Sequence, residues 1–297
     1  MVKLAAKIEG IGLIGPGLDS WTSSTALLEG RSPYIPQPTV LPTPDGLPPA
    51  ERRRLGRVVK LALGVGLQAT SKAGVDPATL PSVFASSGSD GHNCHEICEA
   101  LSHDERLISP TRFHNSVHNA AAGYWSIATG SKTASNAVCA FDASFAAGLL
   151  EAVTQVVVDH TRVLLVAYDA QYPPPLFTKR PIPEAFGVGF VLAPLWVAAQ
   201  AGAGAAAGAE RGGAAVALRA PRADLAPGPG DATLGRLTLA FSDSPADRMR
   251  DAALEALRAS TPAARSLPLL YQLAVRKPAL VHIDYLDGRS LAVEVHP

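Results

Sequence analysis

Residues Thr133 to Ala152 read TASNAVCAFDASFAAGLLEA, and the fold turns on this stretch. The run from Thr133 to Val138 predicts a strand, a tight turn follows, and the Ala-rich run from Asp142 to Val158 predicts a helix. A junction of this kind sets one side chain at a helix N-terminus, where free amides and the helix dipole stabilise negative charge. A thiol placed there is ionised and nucleophilic, whereas an aspartate there is a good helix cap.

Outward from the junction, apolar β-branched runs alternate with segments of helical period. Lys7 to Ile14, Ser82 to Ser86, Arg162 to Ala167 and Phe186 to Leu192 predict strands. Trp21 to Glu29, Gly91 to Ser102 and Asn119 to Thr129 predict helices, and Leu55, Val58, Val59, Ala62, Val65 and Ala69 trace one face of another. Such alternation predicts an α/β layered fold whose central strands are covered on both faces. An Ala/Gly/Pro-rich segment, 198–232, reads as a linker or insertion between a body, 1–197, and a small α+β tail, 233–297. In the tail, Ser244-Pro245 with Asp247 predicts a helix start, and Leu280 to Tyr285 and Ser290 to Val295 flank a hairpin turn at Asp287-Gly288. No internal repeat of solenoid length is visible.

Of the 297 residues, 47% are hydrophobic and 18% charged, below the roughly 25% charged that is usual, which excludes disorder for the chain as a whole. Lys+Arg 26 balance Asp+Glu 26, so no electrostatic footprint points to nucleic acid or to an anionic membrane surface. Three cysteines make no disulfide framework and suggest a reducing, cytoplasmic compartment. Glu9 and Pro16 interrupt the apolar core that a signal peptide needs. Ala185 to Ala209 is uncharged and long enough to span a bilayer, but it contains Pro194 and ends in AQAGAGAAAGA, whose small residues supply little transfer energy. It reads as a buried strand running into the linker.

Several motifs are weighed against plainer readings. Gly10-Ile11-Gly12-Leu13-Ile14-Gly15 has dinucleotide-fingerprint spacing, yet Pro16-Gly17 follows where a helix must begin, so a glycine-rich buried strand and turn is the better reading. His92, Cys94, His95 and Cys98 concentrate metal-ligand side chains, but no second ligand pair stands at the required spacing elsewhere. The alternative is an apolar stripe of Cys94, Ile97 and Leu101 with the histidines outside. His114 and His118 lack a local carboxylate and read as polar residues near a helix start. Hydrolase, zincin and nucleotide-loop signatures are absent.

The pieces together resemble the β-ketoacyl synthase branch of the thiolase superfamily. The resemblance rests on Glu9 to Gly12, Trp21 with Leu27 to Ser32, Asn119 to Gly123, Asp142-Ala143-Ser144 leading into Ala147 to Ala152, Val163 to Ala167 with Asp169, and Gly187 to Leu192. It implies a thiolase-like layered fold, here truncated mainly to the N-terminal half. Aligned without a gap, the family's Cys-Ala-Ser-Gly helix start sets the nucleophile position at Asp142, and Cys139 lies three residues early. An aspartate cannot form the acyl thioester that condensation requires. The family's second-half histidines have no counterpart: His282 precedes Ile283-Asp284 and His296 precedes Pro297.

The resemblance therefore implies a non-catalytic subunit similar to the chain length factors of bacterial polyketide and aryl polyene systems. Its partners would be a catalytic ketosynthase, paired through the edge strand near Thr133 to Val138 and the helix near Asn119, and through that complex an acyl chain borne on acyl carrier protein. Phe113, Tyr124, Trp125, Phe141 and Phe145 are the aromatic candidates for the interface or tunnel wall. No cofactor is implied. The alternative is an active β-ketoacyl synthase or acyltransferase using Cys139.

Overall fold

A computed structural model describes residues 4–44, 46–195, 233–286 and 288–297. The first half runs β1 (Leu4–Ile14), α1 (Trp21–Leu28), α2 (Pro49–Arg52), α3 (Arg57–Ala73), β2 (Ser82–Ala85), α4 (Gly91–Ser102) and α5 (Pro110–His114). Next come α6 (Ala120–Thr129), β3 (Ser135–Val138), α7 (Ser144–Asp159), β4 (Val163–Asp169), α8 (Leu176–Lys179) and β5 (Phe186–Ala193). The tail supplies β6 (Gly235–Ser242), α9 (Ala252–Ser260), α10 (Leu267–Val275), β7 (Ala279–Asp284) and β8 (Ser290–His296).

Among the described residues these strands form one eight-stranded mixed sheet in the order β3-β2-β4-β5-β1-β6-β8-β7. β3, β2 and β4 are parallel and the remaining pairs antiparallel. β4 shows why the sheet is central: all seven of its residues are buried. Its alternate side chains feed opposite cores, Val163, Leu165 and Ala167 one and Leu164, Val166 and Tyr168 the other, as a period of two requires. The first core takes Phe145, Leu149, Val153 and Val156 of α7 together with α9, α10 and the tail strands. The second takes α3 and α6.

The glycines of β1 are explained by α3. A Cβ on Gly10 would lie 2.1 Å from Ala69 O and one on Gly12 2.0 Å from Val65 O, so only glycine lets the helix backbone settle on the strand. The chain then turns at Gly17, φ +71°, and α1 begins only at Trp21 under a Ser20 cap. The Gly10 to Gly15 run is strand, with no helix N-terminus behind it.

The tail joins the sheet through β6, which pairs with β1 from Leu4↔Leu239 to Ile8↔Gly235. The expected hairpin is present, with β7 and β8 antiparallel and Gly288 at φ +78°; Asp287 lies outside the described residues, as does the segment 198–232. One expectation fails. No helix starts at Ser244-Pro245. The helix is capped instead by Asp251, whose Oδ1 accepts from Ala253 N and Leu254 N at 2.9 Å, while Asp247 is drawn to β7. Among the described residues one helical stretch, Phe141–Asp159, is long and apolar enough by composition to cross a membrane, and half of it is buried within the fold.

Candidate functional site at the strand-to-helix junction

The carboxyl ends of parallel strands are where α/β sheets gather functional groups. Here the ends of β2, β3 and β4 bring Ser86, Ser87, Cys139 and Asp169 together. A single 3₁₀ turn, Phe141–Ala143, connects β3 to α7. Ser144 fixes that turn, its Oγ donating to Phe141 O at 2.7 Å and accepting from Ala140 N at 3.0 Å. Asp142 therefore sits at the entry to α7, as the sequence expects.

Both oxygens of its carboxylate are engaged. Arg180 Nη2 donates to one oxygen and Arg265 Nη2 to the other at 3.1 Å. Arg265 Nη1 also meets Asp284 Oδ1 at 2.9 Å, and Arg258 donates to Asp284 Oδ2 at 2.7 Å. Arg258 further clasps Glu255 through two bonds of 2.8 Å, and this hydrogen bonding holds the Glu255 carboxyl below its usual range. The result is a ladder of alternating charge from the junction into the tail. Arg265 and Arg258 each bridge two carboxylates, the arrangement in which arginine's planar fork is most effective.

A second carboxylate is deeper. Asp169 Oδ1 accepts from Ser87 N at 2.9 Å and Ser87 Oγ at 2.6 Å, and Oδ2 accepts from Ala263 N at 2.8 Å. It thus ties the loop after β2 to the tail. Burial pushes its pKa up to about 6 against the opposing pull of these donors.

Cys139 lies exposed at the end of β3, and its thiol donates to Ser87 O at 3.2 Å. It stands on the strand side of the turn. The five aromatic candidates separate into two groups. Tyr124, Trp125 and Phe145 are buried in the chain's own core, with Trp125 against Phe84 at 6.2 Å, Phe145 against Phe190 at 6.2 Å and Tyr124 Oη donating to Asn115 Oδ1 at 3.1 Å. These three offer no surface to a partner. Phe113 and Phe141 are exposed.

Among the described residues no group of three or more His, Cys, Asp or Glu side chains is placed to hold a metal. His92 instead faces Glu96, 3.6 Å away, and Glu96 also pairs with Arg112 at 2.9 Å; Cys94 and Cys98 are exposed, and His95 is partly exposed. The expected apolar stripe is not buried either: α4 buries only Gly91 and Asn93. His114 lies edge-on to Tyr124, and His118 Nε2 contacts Ser86 O at 3.2 Å.

The sequence matches the family model of the β-ketoacyl synthase N-terminal domain over residues 28–219. The chain belongs to the β-ketoacyl synthase family. Among curated proteins no relative matches. Solved structures of this family share the whole fold, tail included. A chain of the ketosynthase ApeO in complex with its chain length factor ApeC, from Xenorhabdus doucetiae, aligns over 98% of this chain and 99% of its own, with TM-score 0.66 and 22% identity. A chain of the ishigamide ketosynthase/chain length factor aligns over 98% and 99%, TM-score 0.66, at 14% identity. The AntDE:AntF complex of a type II acyl carrier protein with its ketosynthase contains a chain that aligns over 99% of each, TM-score 0.69, at 11% identity.

The charge ladder is what sequence reasoning missed within this ketosynthase fold. Arg180 and Arg265 lie 38 and 123 residues from Asp142, so no local spacing connects them. The available signal was scarcity: in a chain only 18% charged, a charge at a motif position asks for a partner.

Proposed function

We propose that this chain is a non-catalytic, chain-length-factor-like subunit that pairs with a catalytic β-ketoacyl-ACP synthase and helps shape its acyl tunnel in fatty acid or polyketide biosynthesis of the aryl polyene type, in the cytoplasm. The observation that carries the reading is the engagement of Asp142. The position that the family resemblance assigns to the nucleophile holds a carboxylate locked between Arg180 and Arg265, a group that makes a stable ion pair and no acyl thioester. Cys139 stands outside that position, at the end of β3, with its thiol donating to Ser87 O at 3.2 Å. The similarity in fold to chains of ketosynthase and chain length factor complexes supports the same reading.

The proposed contact is the edge strand β3. A partner strand added there would gain main-chain hydrogen bonds without disturbing the core. Co-expression with a catalytic β-ketoacyl-ACP synthase of the same source genome, followed by size exclusion at micromolar concentration, tests the pairing. Co-elution at the mass of a heterodimer is the expected result, and separate elution of the two chains contradicts it.

A further inference from the structure

Just beyond β3 stands an aromatic side chain that its own fold does not use. Phe141 is 62% exposed, and its backbone lies at φ +50°, a left-handed conformation that is a real outlier for a bulky residue. Exposure and strain are both unfavourable, and asparagine or glycine at this position would relieve them.

The ring is nevertheless held firmly. The guanidinium carbon of Arg180 lies 3.8 Å from the ring centroid, close enough for cation–π attraction. Arg180 is fixed in turn by Asp142, which Arg265 grips from its other oxygen at 3.1 Å. Residues kept in strained backbone are over-determined by their surroundings and cluster at functional contacts. A rigid aromatic stacked with an arginine is also the composition of interface hot spots, where ordering before contact improves affinity.

We propose that Phe141 is a preset anchor for the ketosynthase subunit that pairs along β3, with Arg180 and Asp142 as its positioning residues. The proposal rests on the pairing proposed above. Phe141 follows the last residue of β3 by three positions, so a partner strand laid along Ser135–Val138 carries its own surface across the ring, where an apolar pocket would receive it. Asp142 thereby acts as the far end of a clamp, through Arg180, on an interface residue.

The full chain and the co-expressed ketosynthase supply the test, with dissociation constants measured for wild type, Phe141→Asn, Arg180→Lys and the double variant. Phe141→Asn keeps a residue that tolerates the left-handed turn, so its unfolding temperature should equal or exceed that of wild type while binding weakens by at least about tenfold. Arg180→Lys keeps a charge opposite Asp142 but loses the flat stacking face, and binding should weaken roughly threefold. The double variant should bind no more weakly than Phe141→Asn alone, because Arg180 acts through the ring. Wild-type affinity in Phe141→Asn, or a weakening by Arg180→Lys that adds fully to that of Phe141→Asn, overturns the anchor. Failure of the wild-type chain to bind the ketosynthase removes the pairing itself, and the anchor with it.

Discussion

The two edges of the sheet are finished in different ways. At the β7 edge, the backbone of His282 is engaged on its outer side by one residue: Asp247 N donates to His282 O at 2.8 Å and Asp247 Oδ2 accepts from His282 N at 2.9 Å. Asp284, two residues on, is held by Arg258 and Arg265. A polar clasp and a row of fixed charges are standard means of keeping an edge from pairing with another chain. At the β3 edge, Ala134 O and Val138 O turn inward to Ser82 N and Ser86 N, at 3.0 and 3.1 Å. The alternation of a parallel strand then points the backbone groups of Ser135 and Ala137 outward. Ser135, Asn136 and Ala137 are exposed, and among the described residues no hydrogen bond reaches that side. One edge is defended and the other is left open, which is the asymmetry a heterodimer built on β3 requires.

The largest effect should come from closing the open edge. Ala137→Pro removes an outward N–H that β2 does not use, so the chain should keep its unfolding temperature within a few degrees while affinity for the ketosynthase falls by about a hundredfold or more. Equal affinity by calorimetry would show that β3 is not the contact.

Next in size is the buried tie between the two halves. Asp169 is surrounded by donors, so in Asp169→Asn the amide must turn its own N–H groups toward Ser87 N or Ala263 N, at a cost of roughly 1–3 kcal/mol by denaturant unfolding. The wild type should also depend on pH in a defined sense. A folded pKa raised from 3.8 to about 6 means that the native state keeps its proton where the unfolded chain has lost it. This contribution to stability is complete below about 4 and is lost as pH rises through 6. Asp169→Asn should flatten that part of the profile, and an unchanged slope would assign it to other groups.

Asp142→Asn should cost about 1–2 kcal/mol, because Arg180 and Arg265 lose the charge between them while one acceptor oxygen remains. Asp142→Cys should cost at least as much and gain no condensing activity in an acyl-transfer assay. A thioester-forming Asp142→Cys variant would show that the ladder is incidental to the lost chemistry. The smallest effect belongs to the defended edge. Asp247→Ala removes one acceptor and should cost about 1 kcal/mol. It should also raise self-association at high concentration, visible by light scattering, without altering ketosynthase binding.

What the sequence made legible was local. The bounds of α4, Gly91–Ser102, are those its sequence predicts, and β4 announces itself as an uninterrupted apolar run. The same local rule misplaced a helix start at Ser244, because Asp247 is recruited by a strand 35 residues later and Asp251 does the capping. It also grouped Tyr124, Trp125 and Phe145 with Phe113 and Phe141. Aromatic identity cannot tell a ring facing the sheet from one facing solvent until neighbouring layers are placed. The stripe on α4 was misjudged for a related reason: its spacing is that of a buried face, but the sheet's second core is already filled by α3 and α6. At the junction, the position of Asp142 was readable from register with the family, whereas its two arginines came from segments that only the tertiary fold brings near.

Hydrogen exchange on the chain alone and on the chain mixed with its ketosynthase tests the central claim most directly, because it reads both edges at once. The outward amides of Ser135 and Ala137 should slow by more than about tenfold when the partner is present, while those of Ala279–Asp284 stay as they are. Unchanged exchange in β3, or new protection confined to β7, would contradict the account.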